Sequence, residues 1–212
     1  MATKLKIWGR PNSTNVKKAL WAATELGLPF ESIAVGKGYA PTNTPEYLAL
    51  NPNALVPTLQ DGDLTVWESN AIVRYLAAQY STADKSLWLA DARQRAIEDQ
   101  WMDWCSTTIP QHFSRIIYGV LRSPPDQQNW DQINEAVKVM GQALAIPDAT
   151  LAKQPYLGGN EFGIADIPLG CFAYAWFEMP NITRPDLPNL RAWYERLKQR
   201  PAYQKEVMIK LT

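Results

Sequence analysis

The apolar positions change period twice within the first stretch of the chain. From Lys4 to Trp8, Leu5 and Ile7 alternate with lysines, the two-residue period of a strand. Val16, Ala19, Leu20, Ala23 and Leu26 then recur at steps of three and four, the spacing of one helix face. Gly27 and Pro29 supply a stop, and Phe30 to Val35 returns to strand character. A strand, a helix and a strand in succession predict a βαβ unit, with a parallel pair and a right-handed crossover.

Gly36 to Asn53 is rich in Gly, Pro, Asn and Thr, with one helical turn expected around Glu46 to Leu50. Two further strands are predicted, Thr58 to Gln60 and Leu64 to Trp67, around the hairpin signal Asp61-Gly62-Asp63. The helix expected from Ser69 to Gln79 is apolar nearly all round and should be buried. Beyond Tyr80 the character changes. Ser81 to Ala90 reads as a linker, and no further strand pattern follows. Long helices are predicted over Asp91 to Leu121, kinked or interrupted at Pro110, and over Trp130 to Lys153, disturbed at Pro147. Ala165 to Met179 is apolar enough to be the centre of a bundle, and Pro188 to Lys198 and Pro201 to Val207 are shorter helices. The expectation is α/β followed by all-α: a small domain over residues 1–80 and a helical one over 91–212.

Composition narrows the function classes. Lys+Arg and Asp+Glu both number 21, so no net charge points to nucleic acid or to a cationic partner. The opening MATKLKIWGRP has no apolar signal-peptide core, and the longest apolar run, Ile167 to Phe177, is too short to cross a bilayer. A cytoplasmic protein, neither membrane-bound nor nucleic-acid-binding, is expected. Cys105 and Cys171 form no Cys-x-x-Cys pair, and they read as buried thiols in a reducing compartment. One histidine, His112, and scattered carboxylates offer no metal-ligand cluster, so no metal is expected.

Three segments carry chemistry. A proline such as Pro57 belongs at the start or edge of a strand. Were its bond to Val56 cis, the N–H and C=O of Val56 would turn out of the sheet, ready to pair with an extended peptide. In Glu68-Ser69-Asn70, Ser69 or Asn70 can cap the following helix. The same N–H groups and hydroxyl can equally hold a carboxylate, with Glu68 accepting from an ammonium group. A ligand with both charges on one carbon is an α-amino acid head, such as a γ-glutamyl group. In Arg10-Pro11-Asn12-Ser13-Thr14-Asn15, Ser13 or Thr14 can cap the first helix, or one hydroxyl can face a bound thiol. A hydrogen bond to a charged group is worth about 1.5–3 kcal/mol, enough to bring a thiol of pKa near 8.5 towards neutrality.

These segments resemble those of the cytosolic glutathione S-transferases, of the serine-type, theta-like kind found in bacteria. The resemblance spans nearly the whole chain. It is carried by Asn51-Pro52 with Leu55-Val56-Pro57-Thr58-Leu59, by Trp67-Glu68-Ser69-Asn70-Ala71-Ile72 with Tyr75-Leu76, and by Pro188-Asn189-Leu190, Trp193 and Arg200-Pro201. It implies a thioredoxin-like N-terminal domain, an all-helical C-terminal domain, a homodimer, and glutathione as co-substrate for conjugation to a small electrophile in detoxification. It implies a cis Pro57, Val56 paired with the cysteinyl backbone, and Glu68 and Ser69 on the γ-glutamyl end, with Asn70 beside them. Ser13 falls where serine-type members keep their thiol-activating hydroxyl, with Asn12 and Asn15 as alternatives on the sulfur.

Two positions depart from the family pattern. Leu55 stands where many relatives have a polar residue for the glycyl carboxylate, so that contact either comes from Asn53, Lys37 or Asn43 or is absent. Gly163 replaces the usual Ser or Thr cap before Asp166. The electrophile is expected between the domains, near Trp8, Arg10, Trp104, Thr107, Thr108, Gln111 and Arg115. The alternatives are a non-catalytic binding or scaffold protein of this fold, and a glutathione-dependent isomerase or dehalogenase.

Overall fold

The structure is a computed structural model that describes residues 5–211. Lys4, the first residue of the predicted opening strand, lies outside them. Two units are present. One reaches to Leu89 and takes in Ala202–Ile209, and the other spans Ala90–Pro201.

In the first unit, β1 (Leu5–Trp8), α1 (Thr14–Glu25) and β2 (Phe30–Ile33) make the expected βαβ unit, with β1 and β2 parallel. Gly27 takes φ 68°, the left-handed conformation that ends α1. α2 (Pro45–Leu50) is capped by the Thr44 side chain. β3 (Thr58–Asp61) and β4 (Leu64–Trp67) form the predicted hairpin, and α3 runs Ser69–Tyr80. The sheet order is β2-β1-β3-β4, with β3 antiparallel to both neighbours, which is the thioredoxin-like arrangement. α3 packs on α1, and Ile7, Leu59, Trp21, Ile72 and Leu76 are buried in this core. Tyr75 and Tyr80 both donate to Asp61 Oδ2, which ties the end of α3 to the hairpin. The chain's closing residues return to α1. Tyr203 meets Trp21 edge-on, and Lys17 Nζ donates to Val207 O at 2.9 Å.

The second unit is helical: α4 (Ala92–Ile117), α5 (Trp130–Leu151), α6 (Asp166–Glu178) and α7 (Pro188–Lys198), with α8 (Pro201–Glu206) leading back to the first. α4 continues through Pro110, and α5 through Pro147, without a break. A proline costs a helix about 3 kcal/mol. Burial of Ile109, Phe113, Leu144 and Leu151 around these positions outweighs it. α4 ends at Ile117, and a π-helical turn over Tyr118–Arg122 replaces the predicted last turn. α6 is the buried centre, as its uniform apolarity predicts. Cys105 and Cys171 are both buried thiols outside any disulfide.

The start of α6 explains the glycine at position 163. Asp166 is fully buried and accepts from Leu157 N (3.0 Å), Gly163 N (3.1 Å) and Trp193 Nε1 (2.7 Å). Glu98, buried on α4, accepts from Ala165 N at 3.2 Å. A Cβ at Gly163 would lie 2.0 Å from Glu98 Oε1. The acceptor that a Ser or Thr would bring locally is thus brought by α4, and it occupies the space of the missing side chain.

Candidate functional site

Strand register assembles the site. Thr58 pairs with both Trp8 and Trp67, so the end of β1, the start of β3 and the end of β4 lie side by side. The segments just beyond them, 10–15, 51–57 and 68–70, therefore converge at one end of the sheet.

The middle segment is held by Asn51, which is buried. Its amide donates to Leu55 O (2.9 Å) and Thr58 Oγ1 (3.2 Å), and its Oδ1 accepts from the Asn53 backbone and side chain. Tyr47 OH donates to Leu55 O as well, at 2.7 Å. The Val56–Pro57 bond is cis. The ladder of β3 begins only at Thr58, which leaves the N–H and C=O of Val56 outside it. Glu68 precedes α3 with φ 74° and ψ 117°, and Ser69 opens the helix.

A cleft of about 140 Å³ lies at this junction. Asn15, Asn53, Val56, Pro57, Glu68 and Ser69 line it, with Asn51, Leu55 and Trp67 completing the wall. Six of the nine residues expected at the site are thus brought together. Ser13, Asn12 and Asn70 are not in the wall. Asn70 is buried in the first turn of α3, and Asn12 and Ser13 stand in the β1–α1 loop, just before the first turn of α1 that carries Asn15. Lys37 and Asn43 are exposed and outside the wall, so Asn53 is the one of the three glycyl-carboxylate candidates that lines the cleft.

Ser13 is the N-cap of α1 by backbone, its C=O accepting from Lys17 N at 2.9 Å, but its side chain makes no capping hydrogen bond. Its hydroxyl is not spent on capping the helix. The first turns of α1 and α3 carry no acidic residue, so their N-terminal fields act on whatever enters. Ser69 Oγ donates to Asn15 Oδ1 at 3.4 Å and lies 3.5 Å from the buried Lys18 Nζ. Lys18 and Asn51 were not among the expected site residues. Nothing in the sequence singles out Lys18, which follows another lysine in α1; the signal for Asn51 was its place in the Asn51-Pro52 motif.

Two domain profiles match this chain: glutathione S-transferase N-terminal domain over residues 3–78, and glutathione S-transferase C-terminal domain over 111–201. The chain belongs to the glutathione S-transferase family. The glutathione S-transferase GstB of Escherichia coli K12 is 44% identical over 207 residues, covering 97% of this chain and 98% of that protein. A theta class glutathione S-transferase from Xanthomonas axonopodis pv. citri, solved with glutathione bound, superposes with a TM-score of 0.94 at 53% identity over the full length of both chains. Maize glutathione S-transferase I, solved with an atrazine glutathione conjugate, gives 0.84 at 27% identity, over 97% of this chain and 98% of that one. The family matches the resemblance read from the motifs.

The helical unit holds a larger cavity of about 660 Å³, lined by His112, Arg115, Tyr118, Ser123 and Gln132 among others. Arg115 is the only one of the residues expected near the electrophile that lines it. Trp104 is half-buried against Trp101, and Thr107 bonds back to Asp103 O. Among the described residues no group of three or more His, Cys, Asp or Glu is placed to hold a metal, and no helix is long and apolar enough to cross a membrane.

Proposed function

We propose that this glutathione S-transferase family member is a serine-type transferase that binds glutathione in the 140 Å³ cleft and conjugates it to a small electrophile. The observation that carries the reading is the meeting, in one cleft, of a Val56 backbone outside the sheet ladder with Glu68 and Ser69 at the start of α3. Val56 pairs with the cysteinyl backbone as an added strand would. Ser69 and the N–H groups of the first turn of α3 take the γ-glutamyl carboxylate, and Glu68 takes its ammonium. Asn53 uses one amide hydrogen on Asn51, and the second is available to the glycyl carboxylate.

The Ser13 hydroxyl donates to the sulfur, and the field at the start of α1 favours the same anion. The thiol proton leaves to water. The thiolate then attacks an electrophilic carbon, forming a C–S bond as the leaving group departs with its electron pair. Orientation and thiolate formation are what the protein contributes. The electrophile is a small organic molecule. The active form is a cytoplasmic homodimer, a reading supported by the exposed edge strand β4 and by two cysteines outside any disulfide.

Purified protein is expected to conjugate glutathione to a dinitrohalobenzene. Ser13→Ala should lower kcat/KM by about tenfold to a hundredfold, the equivalent of one hydrogen bond to a charged group. Glutathione binding without turnover on any electrophile would favour the carrier or scaffold reading, and no glutathione binding would overturn the assignment.

A further inference from the structure

Leu55 is an apolar side chain left 64% exposed on the wall of the cleft. Its backbone is fixed: Leu55 O accepts from Tyr47 OH at 2.7 Å and from Asn51 Nδ2 at 2.9 Å. With a γ-glutamylcysteinyl thiol bound as described, most of the wall is engaged. Glu68, Ser69 and Asn15 are at the amino acid head, and Val56 and Pro57 are at the cysteinyl backbone. The Asn51 amide is taken up by Leu55 O and Thr58 Oγ1. Asn53 and Leu55 are left for the third residue. Asn53 brings one neutral hydrogen, because its other amide hydrogen goes to Asn51 Oδ1 at 3.1 Å, and Leu55 brings none. Among the described residues of the wall only Glu68 carries a charge, and that charge is negative. The buried Lys18 stands behind Ser69, at the end that holds the head.

We propose that the cleft takes γ-glutamylcysteinyl thiols as a class, without selecting for a free carboxylate on the third residue, and that Leu55 sets this breadth. The proposal rests on the glutathione reading above. Glutathione carries two carboxylates. The one on the amino acid head meets the start of α3, and the one on the glycyl end meets a leucine and a neutral amide. A carboxylate that gives up its water needs a cation or several donors in return, and this end of the wall supplies neither. The one Asn53 hydrogen serves the carbonyl oxygen of an amide or an ester as it serves a carboxylate oxygen. The glycyl carboxylate therefore stays hydrated, and blocking it removes no contact. The alkyl group of an ester lies against Leu55 instead, where covering exposed apolar surface is favourable.

The test compares glutathione with its amide and its ethyl ester at the glycyl carboxylate, by calorimetric Kd and by kcat/KM, on the wild type and Leu55→Lys. The wild type should bind and use all three within about threefold, with ratios that do not change between low and high salt. A larger preference for glutathione, or one that fades with salt, would overturn the proposal and assign the carboxylate to a cation outside the wall, Lys37 or Arg10. Leu55→Lys puts a cation at the rim. It should move the ratio of glutathione to amide by about threefold to fivefold in favour of glutathione, the size of one exposed ion pair. An unchanged ratio in that variant would overturn the role of Leu55. A wild type that binds none of the three would instead remove the glutathione reading beneath the proposal. Should the variant not fold, the wild type alone answers for Leu55. KM should fall from the methyl to the butyl ester as the longer chain covers the leucine, and a KM that stays level or rises would overturn its role.

Discussion

Glu68 combines a carboxylate at the cleft with a backbone at φ 74° and ψ 117°, which residues with a Cβ rarely adopt. Strain of this kind costs about 1–3 kcal/mol and persists where the surroundings fix it, here β4 on one side and α3 on the other. Glu68→Ala and Glu68→Gly both lose the carboxylate, but only glycine relieves the backbone. Glu68→Gly should therefore be more stable than Glu68→Ala by about 1 kcal/mol in urea denaturation. Both should weaken glutathione binding. The polar residues at helix starts were legible in the sequence, because a cap and an anion site call on the same residue types. At Ser13 the sequence offers a cap or a thiol ligand, and the side chain makes no capping hydrogen bond. Lys18 was not legible, since a lysine in a helix reads as solvated until the packing of α1 on α3 is known.

The start of α6 is built by two elements. Burial raises the Glu98 carboxyl to about 7 and Asp166 to about 6, against the backbone hydrogen bonds that lower them. Asp166 and Asp99 add to the rise at Glu98, and Arg200 opposes it at Asp166. Both groups bind protons more tightly folded than unfolded, where their ordinary values are 4.5 and 3.8. Their contribution to stability is complete below those values and is lost as pH rises through about 6 to 7. The Tm of the wild type should thus fall relative to Glu98→Gln between pH 5 and pH 8, measured by calorimetry. Gly163→Ser should destabilise by about 1–3 kcal/mol through overlap with Glu98. Combined with Glu98→Ala it should cost less than the sum of the two changes. The glycine was visible in the sequence as a departure, but its cause lies on α4, 65 residues earlier (163 − 98), beyond the reach of a local motif. Pro110 and Pro147 show the same limit. Local chemistry predicts a kink or an interruption, and both helices continue through their prolines without interruption.

At the scale of the whole molecule, the order of elements was readable from hydrophobic periods, but the return of Ala202–Ile209 to the first unit was not. That return rests on Tyr203 against Trp21 and on Thr24 Oγ1 with Glu206, contacts far apart in sequence. Strand β4 closes one edge of the sheet and exposes Leu64 (40%) and Trp67 (42%). Exposed apolar residues on an open edge are a surface to be covered. The proposed homodimer predicts a sedimentation mass twice that of the chain, reduced to the monomer by Leu64→Glu with Trp67→Glu. In the proposed mechanism the cleft binds glutathione and Ser13 holds its sulfur as a thiolate. It is tested most directly by titrating the thiolate absorbance of bound glutathione against pH in the wild type and in Ser13→Ala. Bound to the wild type, the thiol should have a pKa well below that of free glutathione, returning towards the free value in the variant; an identical thiolate titration in both proteins would contradict the role of Ser13.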